Sequence, residues 1–373
     1  MATEPAASAV RPKKLAHIHL GVDGGAERFF VRLSRALAKR GVEQIAFIKP
    51  GRPWRDELAE HCEVRELTFS RSHIKRHFVR WHIAREIRKF GATATLGWMS
   101  PASKWLPKPG PDMRTFLRLG DWPDGFHTYG NVEQLIGNTP EIIRQAVEMG
   151  WPADRAHVIS NFVDPLPADL QPVNRADHDT PDDATVLIAL GRFVQRKRFD
   201  LMIEAVARLP ENVHAWLIGD GELMDDMKQL AARLGVETRV HFLGWQRDPS
   251  PFLKAADILV CPADEEPLGN VVLEGWNASL PVVATASPGP SWLIEHGKTG
   301  LLSPCGDVEG LVGNVVRLTS SPSYKINLVH EASAKLVDLY AEKNVSDRYL
   351  SLAFSCSEKT NEKGFQLENS ADV

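Results

Sequence analysis

The sequence predicts an α/β protein of two doubly wound parallel-sheet domains facing a central cleft, and three observations lead there. Short apolar runs at residues 186–190, 213–218, 240–243, 258–260 and 282–284 alternate with stretches of helical periodicity. Such alternation builds a parallel sheet with helices on both faces. The chain opens on the same pattern: an apolar run at 15–20, a helix through Phe29, Phe30, Leu33 and Leu37 ending near Gly41, and a second run at 44–48. Between the halves lies a Pro- and Asp-rich stretch, 166–183, nearly devoid of large apolar side chains, which reads as a linker. Open parallel sheets take ligands at the carboxyl ends of their strands, so two such sheets enclose a cleft.

In chain order, residues 1–14 are polar and Ala/Pro-rich, the composition of a loose arm. Residues 15–165 form the first domain. Within it, 94–120 carries Pro107, Pro109, Gly110 and Pro111 among short apolar runs, and no element is assigned there. The second domain spans 184–324, residues 325–352 are helical, and 353–373 is a polar tail expected to be disordered. The 373 residues, 43% hydrophobic, suffice for two cores. A net charge of −4 argues against a nucleic-acid partner. Cys62, Cys261, Cys305 and Cys356 are scattered with no Cys-x-x-Cys pair, which points to a reducing, cytoplasmic setting without structural zinc or disulfides. Neither a signal peptide nor a membrane-spanning stretch is predicted.

The most informative segment is Glu266-Pro267-Leu268-Gly269-Asn270-Val271-Val272-Leu273-Glu274. Pro267 and Gly269 end the loop after the apolar run at 258–260, and a helical pattern follows. Glu266 therefore lies in a strand-to-helix loop and Glu274 inside the helix. At about 1.5 Å per residue the pair spans at most roughly 12 Å, about the length of a sugar joined to a ribose through a diphosphate. Carboxylates accept hydrogen bonds from sugar hydroxyls, and the free N–H groups at a helix start attract phosphate. After the run at 186–190 come Arg192 and Lys197, a fork and a point charge able to converge on one diphosphate. Gly21-x-x-Gly24-Gly25 and Gly219-Asp220-Gly221 are further small-residue turns at strand ends, where a backbone can approach a ligand closely.

Together with Pro281-Val282-Val283-Ala284-Thr285 and Gly297-Lys298-Thr299-Gly300-Leu301-Leu302, these motifs resemble retaining glycosyltransferases of the GT-B fold, family 4, the group 1 glycosyltransferases. The resemblance runs from about residue 15 to about 315, and the segments at 135–139 and 158–164 are similar to enzymes that build lipopolysaccharide core. It implies two Rossmann-like domains, with the first on the acceptor side, the second holding a UDP- or GDP-sugar, and a terminal helix crossing back. It implies transfer to a glycan or glycolipid hydroxyl with Arg192, Lys197 and Glu266 as catalytic residues. The nucleotide sugar would be held by Gly24, Gly25, Arg192, Lys197, Gly219, Leu268, Gly269, Asn270, Val271 and Glu274. Glu266 would face the sugar and Glu274 the ribose, and no metal or other cofactor is expected. Where the family usually has Gly, this chain has Arg198, which adds a possible third positive charge near the phosphates. The competing readings are a GT-B-like phosphorylase and a non-catalytic sugar-binding relative.

Other patterns carry less chemistry. Asp177-His178-Asp179 lies in the linker with no strand before it and reads as solvated, and His82-x-x-x-Glu86 lacks zinc-protease spacing. Asp121 either faces the reacting centre or caps a turn. Residues 71–89 carry Arg71, Lys75, Arg76, Arg80, Arg85, Arg88 and Lys89 against Glu86 alone. Ile74, Phe78, Trp81, Ala84 and Ile87 are expected to face inward on that helix, leaving the cations for solvent or for an anionic membrane surface.

Overall fold

The computed structural model describes residues 12–70 and 72–354. Most of the expected arm, Arg71, Cys356 and nearly all of the expected tail lie outside the described residues. The first half runs β1 (Lys14–His19), α1 (Gly25–Ala38), β2 (Glu43–Ile48), α2 (Arg55–Ala59), β3 (Glu63–Glu66), α3 (His73–Phe90), β4 (Ala94–Trp98), β5 (Arg114–Leu119), β6 (Gln134–Gly137), α4 (Pro140–Glu148) and β7 (Ala156–Val158). The second runs β8 (Thr185–Leu190), α5 (Phe199–Arg208), β9 (Val213–Ile218), α6 (Met224–Arg233), β10 (Val240–Gly244), α7 (Ser250–Ala255), β11 (Ile258–Cys261), α8 (Asn270–Asn277), β12 (Val282–Thr285), α9 (Pro288–Leu293), β13 (Leu301–Ser303), α10 (Val308–Ser320), α11 (Pro322–Tyr340) and α12 (Glu342–Phe354). Sheet one has the order β3-β2-β1-β4-β5-β6-β7 and sheet two β10-β9-β8-β11-β12-β13, all pairs parallel.

Both sheets are covered on two faces, which is why their central strands are near-continuous apolar runs. In the first, Leu15, Ala46 and Ile48 meet Phe29, Phe30 and Leu33 of α1, while Ala16, Ile18, Ile45 and Phe47 meet Ile83 and Ile87 of α3. In the second, Leu187, Ala215 and Leu217 pack on α5 and α10, and Ile188, Trp216 and Leu259 pack on α7 and α8. The helical stretch near the C-terminus divides. Ala332 and Tyr340 of α11 join the core around α8, whereas Val345, Tyr349 and Ala353 of α12 pack beneath α1 in the first domain.

The stretch 166–183 is held against the second domain in its later part. The Arg175 guanidinium donates to the carbonyls of Ala255 (2.7 Å) and Ala184 (2.8 Å), and the Trp216 indole donates to Thr180 Oγ1 at 2.9 Å. Asp177 and Asp179 are exposed there.

The inward face expected for α3 is corrected. Ile87 is buried as expected, but Phe78 and Trp81 are 66% and 56% exposed; among the described side chains Ile83 is the other buried one, with Val79 and Phe90 packed beside the pair. Two apolar stripes share this helix, and periodicity alone does not choose between them. The exit does: Gly91 turns the chain in the left-handed conformation (φ 81°) directly into β4, which fixes the rotation of the last turns.

Candidate active site

The carboxyl ends of β8 and β9 are locked together by backbone contact. Gly219, at φ 141°, lies so close to Gly191 that a Cβ would stand 1.8 Å from the Gly191 carbonyl oxygen. No other residue fits there, and the two loops behave as one surface. From it Arg192 projects, exposed, while Lys197 turns back towards β11.

Lys197 Nζ forms an ion pair with Glu266 Oε2, the side chains being 19% and 12% exposed. Glu266 Oε1 accepts the Gly269 N–H at 3.2 Å, and the Glu266 carbonyl accepts that of Gly289 at 2.8 Å. The carboxylate is thus held on both oxygens at the mouth of α8. Leu268 is buried, and Gly269 caps α8 in the left-handed conformation (φ 83°).

Arg198 does not supply the expected third charge. It takes up φ 50°, the left-handed conformation that makes glycine the natural occupant, and its guanidinium pairs with Asp200 and Asp264. The hydrogen bonds it donates to Asp200 and to Asp264 outweigh burial and hold its pKa above the ordinary arginine range. Two carboxylates neutralise it.

Across the cleft, Gly24 caps α1 and Gly25 begins it; a Cβ on Gly25 would stand 2.9 Å from Asn270 Nδ2. Close approach therefore brings the N-termini of α1 and α8 together, and both carry the positive end of a helix dipole. Behind Gly24, Glu27 is buried, and burial raises its pKa against the lowering influence of Arg52 and Arg192. Its Oε1 stands 3.8 Å from His19 Nε2. Burial, helped by the charge of Arg118, pushes His19 down to about 3, so this contact is no ion pair at neutral pH. Glu274 is raised by burial too, with Arg32 and Arg28 of α1 acting in opposition.

A family model of glycosyl transferases group 1 matches residues 184–321. The lipopolysaccharide core biosynthesis glycosyltransferase LpsD of Rhizobium meliloti is 41% identical over 339 residues, 91% of this chain and 97% of that protein. The chain belongs to the group 1 glycosyltransferases. LpsE of the same organism is 40% identical over 342 residues, 92% of this chain and 99% of its own. The structure of Anabaena Alr3699/HepE in complex with UDP superposes with a TM-score of 0.79 at 19% identity, covering 91% of this chain and 99% of that one. The fold is GT-B.

Further residues of this glycosyltransferase tie its domains together, and of these Asn161, Arg118 and Tyr349 escaped the sequence reading. Asn270 Oδ1 accepts from Asn161 Nδ2 at 2.7 Å; Asn161 Oδ1 in turn accepts from buried Arg118, whose Nε donates to Tyr349 Oη at 3.1 Å. One chain of hydrogen bonds links α8 through β5 to α12. Asp121 meets Arg196 of the second domain at 3.7 Å and accepts the Trp122 N–H at 3.0 Å, so it both caps a turn and spans the cleft. The apolar neighbours of Asn161 and Arg118 hinted at burial, but nothing local named their partners.

Proposed function

We propose that this glycosyltransferase moves a sugar from a nucleoside diphosphate sugar to a hydroxyl of a lipopolysaccharide-core glycan, with retention at the anomeric carbon and without a divalent metal. The Lys197–Glu266 pair carries this reading. It sets a diphosphate-binding cation and a hydroxyl-accepting carboxylate side by side at the N-terminus of α8. Arg192, Lys197 and the facing helix termini would stabilise charge developing on the leaving diphosphate. Glu266 would orient the sugar and Glu274 the ribose, with Leu268, Gly269, Asn270 and Val271 offering backbone to the phosphates. Retention is supported by the state of Glu266, which is already engaged on both oxygens and so is poorly placed to activate an acceptor as a base. The leaving phosphate oxygen would then take the acceptor's proton. The likeness to LpsD and LpsE along nearly their whole length supports the lipopolysaccharide-core acceptor.

A thermal-shift screen with UDP, GDP and ADP identifies the nucleotide, since a ligand that binds the folded state raises the midpoint. Proton NMR of the first-formed product reads the anomeric configuration; an inverted product overturns retention. Turnover in excess chelator should persist, and loss restored by magnesium or manganese overturns the metal-free reading.

We further propose that the enzyme works at the inner face of the cytoplasmic membrane. The outer face of α3 presents Phe78 and Trp81 beside Arg85 and Arg88, with the Arg85 guanidinium 5.7 Å from the Trp81 ring centre. Aromatic and cationic side chains together suit an anionic bilayer interface. No helix among the described residues is long and apolar enough to cross a membrane.

A further inference from the structure

A second cavity, of about 300 Å³, opens in the first domain away from the residues assigned to the donor. Arg76 and Arg80 of α3, Lys104 of the short 3-10 helix Ser100–Trp105, and His127 of the loop after β5 line it, together with the hydroxyls of Ser103 and Thr128. Among the described residues no carboxylate lines it. Its floor is built rather than incidental. Ser103, 2% exposed, donates to the Ser100 carbonyl at 2.7 Å and shares a hydrogen bond with Thr128 Oγ1 at 2.8 Å. Tyr129 Oη donates to Ser100 Oγ at 2.8 Å, which ties the loop to the 3-10 helix.

The cavity lies on the cleft side of the sheet. The 3-10 helix follows the carboxyl end of β4, the loop follows that of β5, and Asp121 of the same loop reaches Arg196 of the donor domain at 3.7 Å. A volume near 300 Å³ is at the lower end for small-ligand sites and exceeds what an isolated phosphate fills. Three cations arriving from two separate elements, Arg76 and Arg80 of α3 and Lys104 of the 3-10 helix, suit a tetrahedral dianion; a planar carboxylate is satisfied by one guanidinium fork.

We propose that this cavity binds a phosphomonoester carried by the acceptor glycan. The glycan's identity rests on the function proposed above, whereas the preference for phosphate is tested by binding alone. The probe is deacylated, phosphorylated lipopolysaccharide-core oligosaccharide, before and after phosphatase treatment, titrated calorimetrically into the full chain. The parent should bind the phosphorylated form at least about 10-fold more tightly, the effect of one charge-assisted hydrogen bond. The double variant Arg80→Gln/Lys104→Gln, at two exposed positions, should lose that preference while still binding the nucleoside diphosphate as the parent does. Equal binding of both forms by the parent, or an unchanged preference in the variant, overturns the proposal. So does a variant that keeps the preference but no longer binds phosphatidylglycerol vesicles, which would assign the cavity to lipid headgroups. A parent that prefers the phosphorylated form but binds no nucleoside diphosphate would leave the cavity standing and sink the proposed function instead.

Discussion

Lys197 and Glu266, 69 residues apart, join the loop after β8 to the loop after β11 through one ion pair of largely buried side chains. Each holds the other in place before any donor arrives, so neither must be ordered at the moment of binding. The two should nonetheless fail differently. Lys197→Ala removes a charge that matters most as the diphosphate leaves, and turnover should fall about 10²-fold or more. Glu266→Gln should leave affinity for the free nucleoside diphosphate largely intact while weakening the intact donor. Calorimetry with both ligands checks this, and loss of free nucleotide binding in a folded Glu266→Gln protein would contradict its place at the sugar.

Gly219→Ala tests the contact between the β8 and β9 loops. A Cβ 1.8 Å from the Gly191 oxygen cannot be accommodated by side-chain movement, and φ of 141° disfavours alanine independently. Destabilisation of about 2 kcal/mol or more is expected from strain and overpacking together. Urea unfolding monitored by tryptophan fluorescence measures it.

Stability should fall on mild acidification because of two histidines. Burial lowers His17 to about 4 and His19 to about 3, from an ordinary value of 6.5. Above pH 6.5 neither folded nor unfolded chain is protonated at these sites, and they contribute nothing. From 6.5 down to about 4 the unfolded chain binds protons that the folded chain refuses, so stability is lost as pH falls. Two such groups give a slope of at most about 2.7 kcal/mol per pH unit, or about 2–3 kcal/mol between pH 7.5 and 5.5. Glu27 and Glu274, raised by burial, tilt the other way, favouring the folded chain as pH falls. Burial also lowers His157, His214 and His241, which add to the same slope. Comparison with His17→Gln and His19→Gln isolates the two: each variant should show a shallower slope than the parent, by up to about 1.4 kcal/mol per pH unit, and unchanged slopes would show that other groups carry it.

Membrane attachment by α3 should depend on its aromatic residues as well as its charges. Flotation with anionic vesicles should show salt-sensitive binding of the parent, as surface cations near a negative bilayer contribute about 1 kcal/mol each. Phe78→Ser/Trp81→Ser should bind less at every salt concentration, whereas Arg85→Ser/Arg88→Ser should chiefly lose the salt-sensitive part. Equal flotation of parent and both variants would leave this face as solvated surface.

Much of the fold was legible in the chain because its signals are local. A strand buried on both faces must be an apolar run, as at 186–190 and 213–218, and a Pro-Leu-Gly stop must precede a helix carrying Glu274. The brief β13 was legible only as part of a Gly-rich motif, and β4 and β5 were hidden among turn-forming prolines, since three to six residues hold too little periodicity to stand out.

What the sequence determined by itself was the α/β class, the order of the main elements and the position of most motif residues at a strand end or helix start, with Glu274 inside its helix. These follow from backbone preference and burial period, which act over a few residues. Only the tertiary structure decided the pairings. It turned Phe78 and Trp81 outward, neutralised Arg198 with Asp264 sixty-six residues away, and joined Asn161 to Asn270 over a separation of 109. A side chain's charge and hydrogen-bonding capacity are written in its residue type, but the partner that uses them is chosen by packing. Packing depends on contacts between segments that the chain itself keeps far apart.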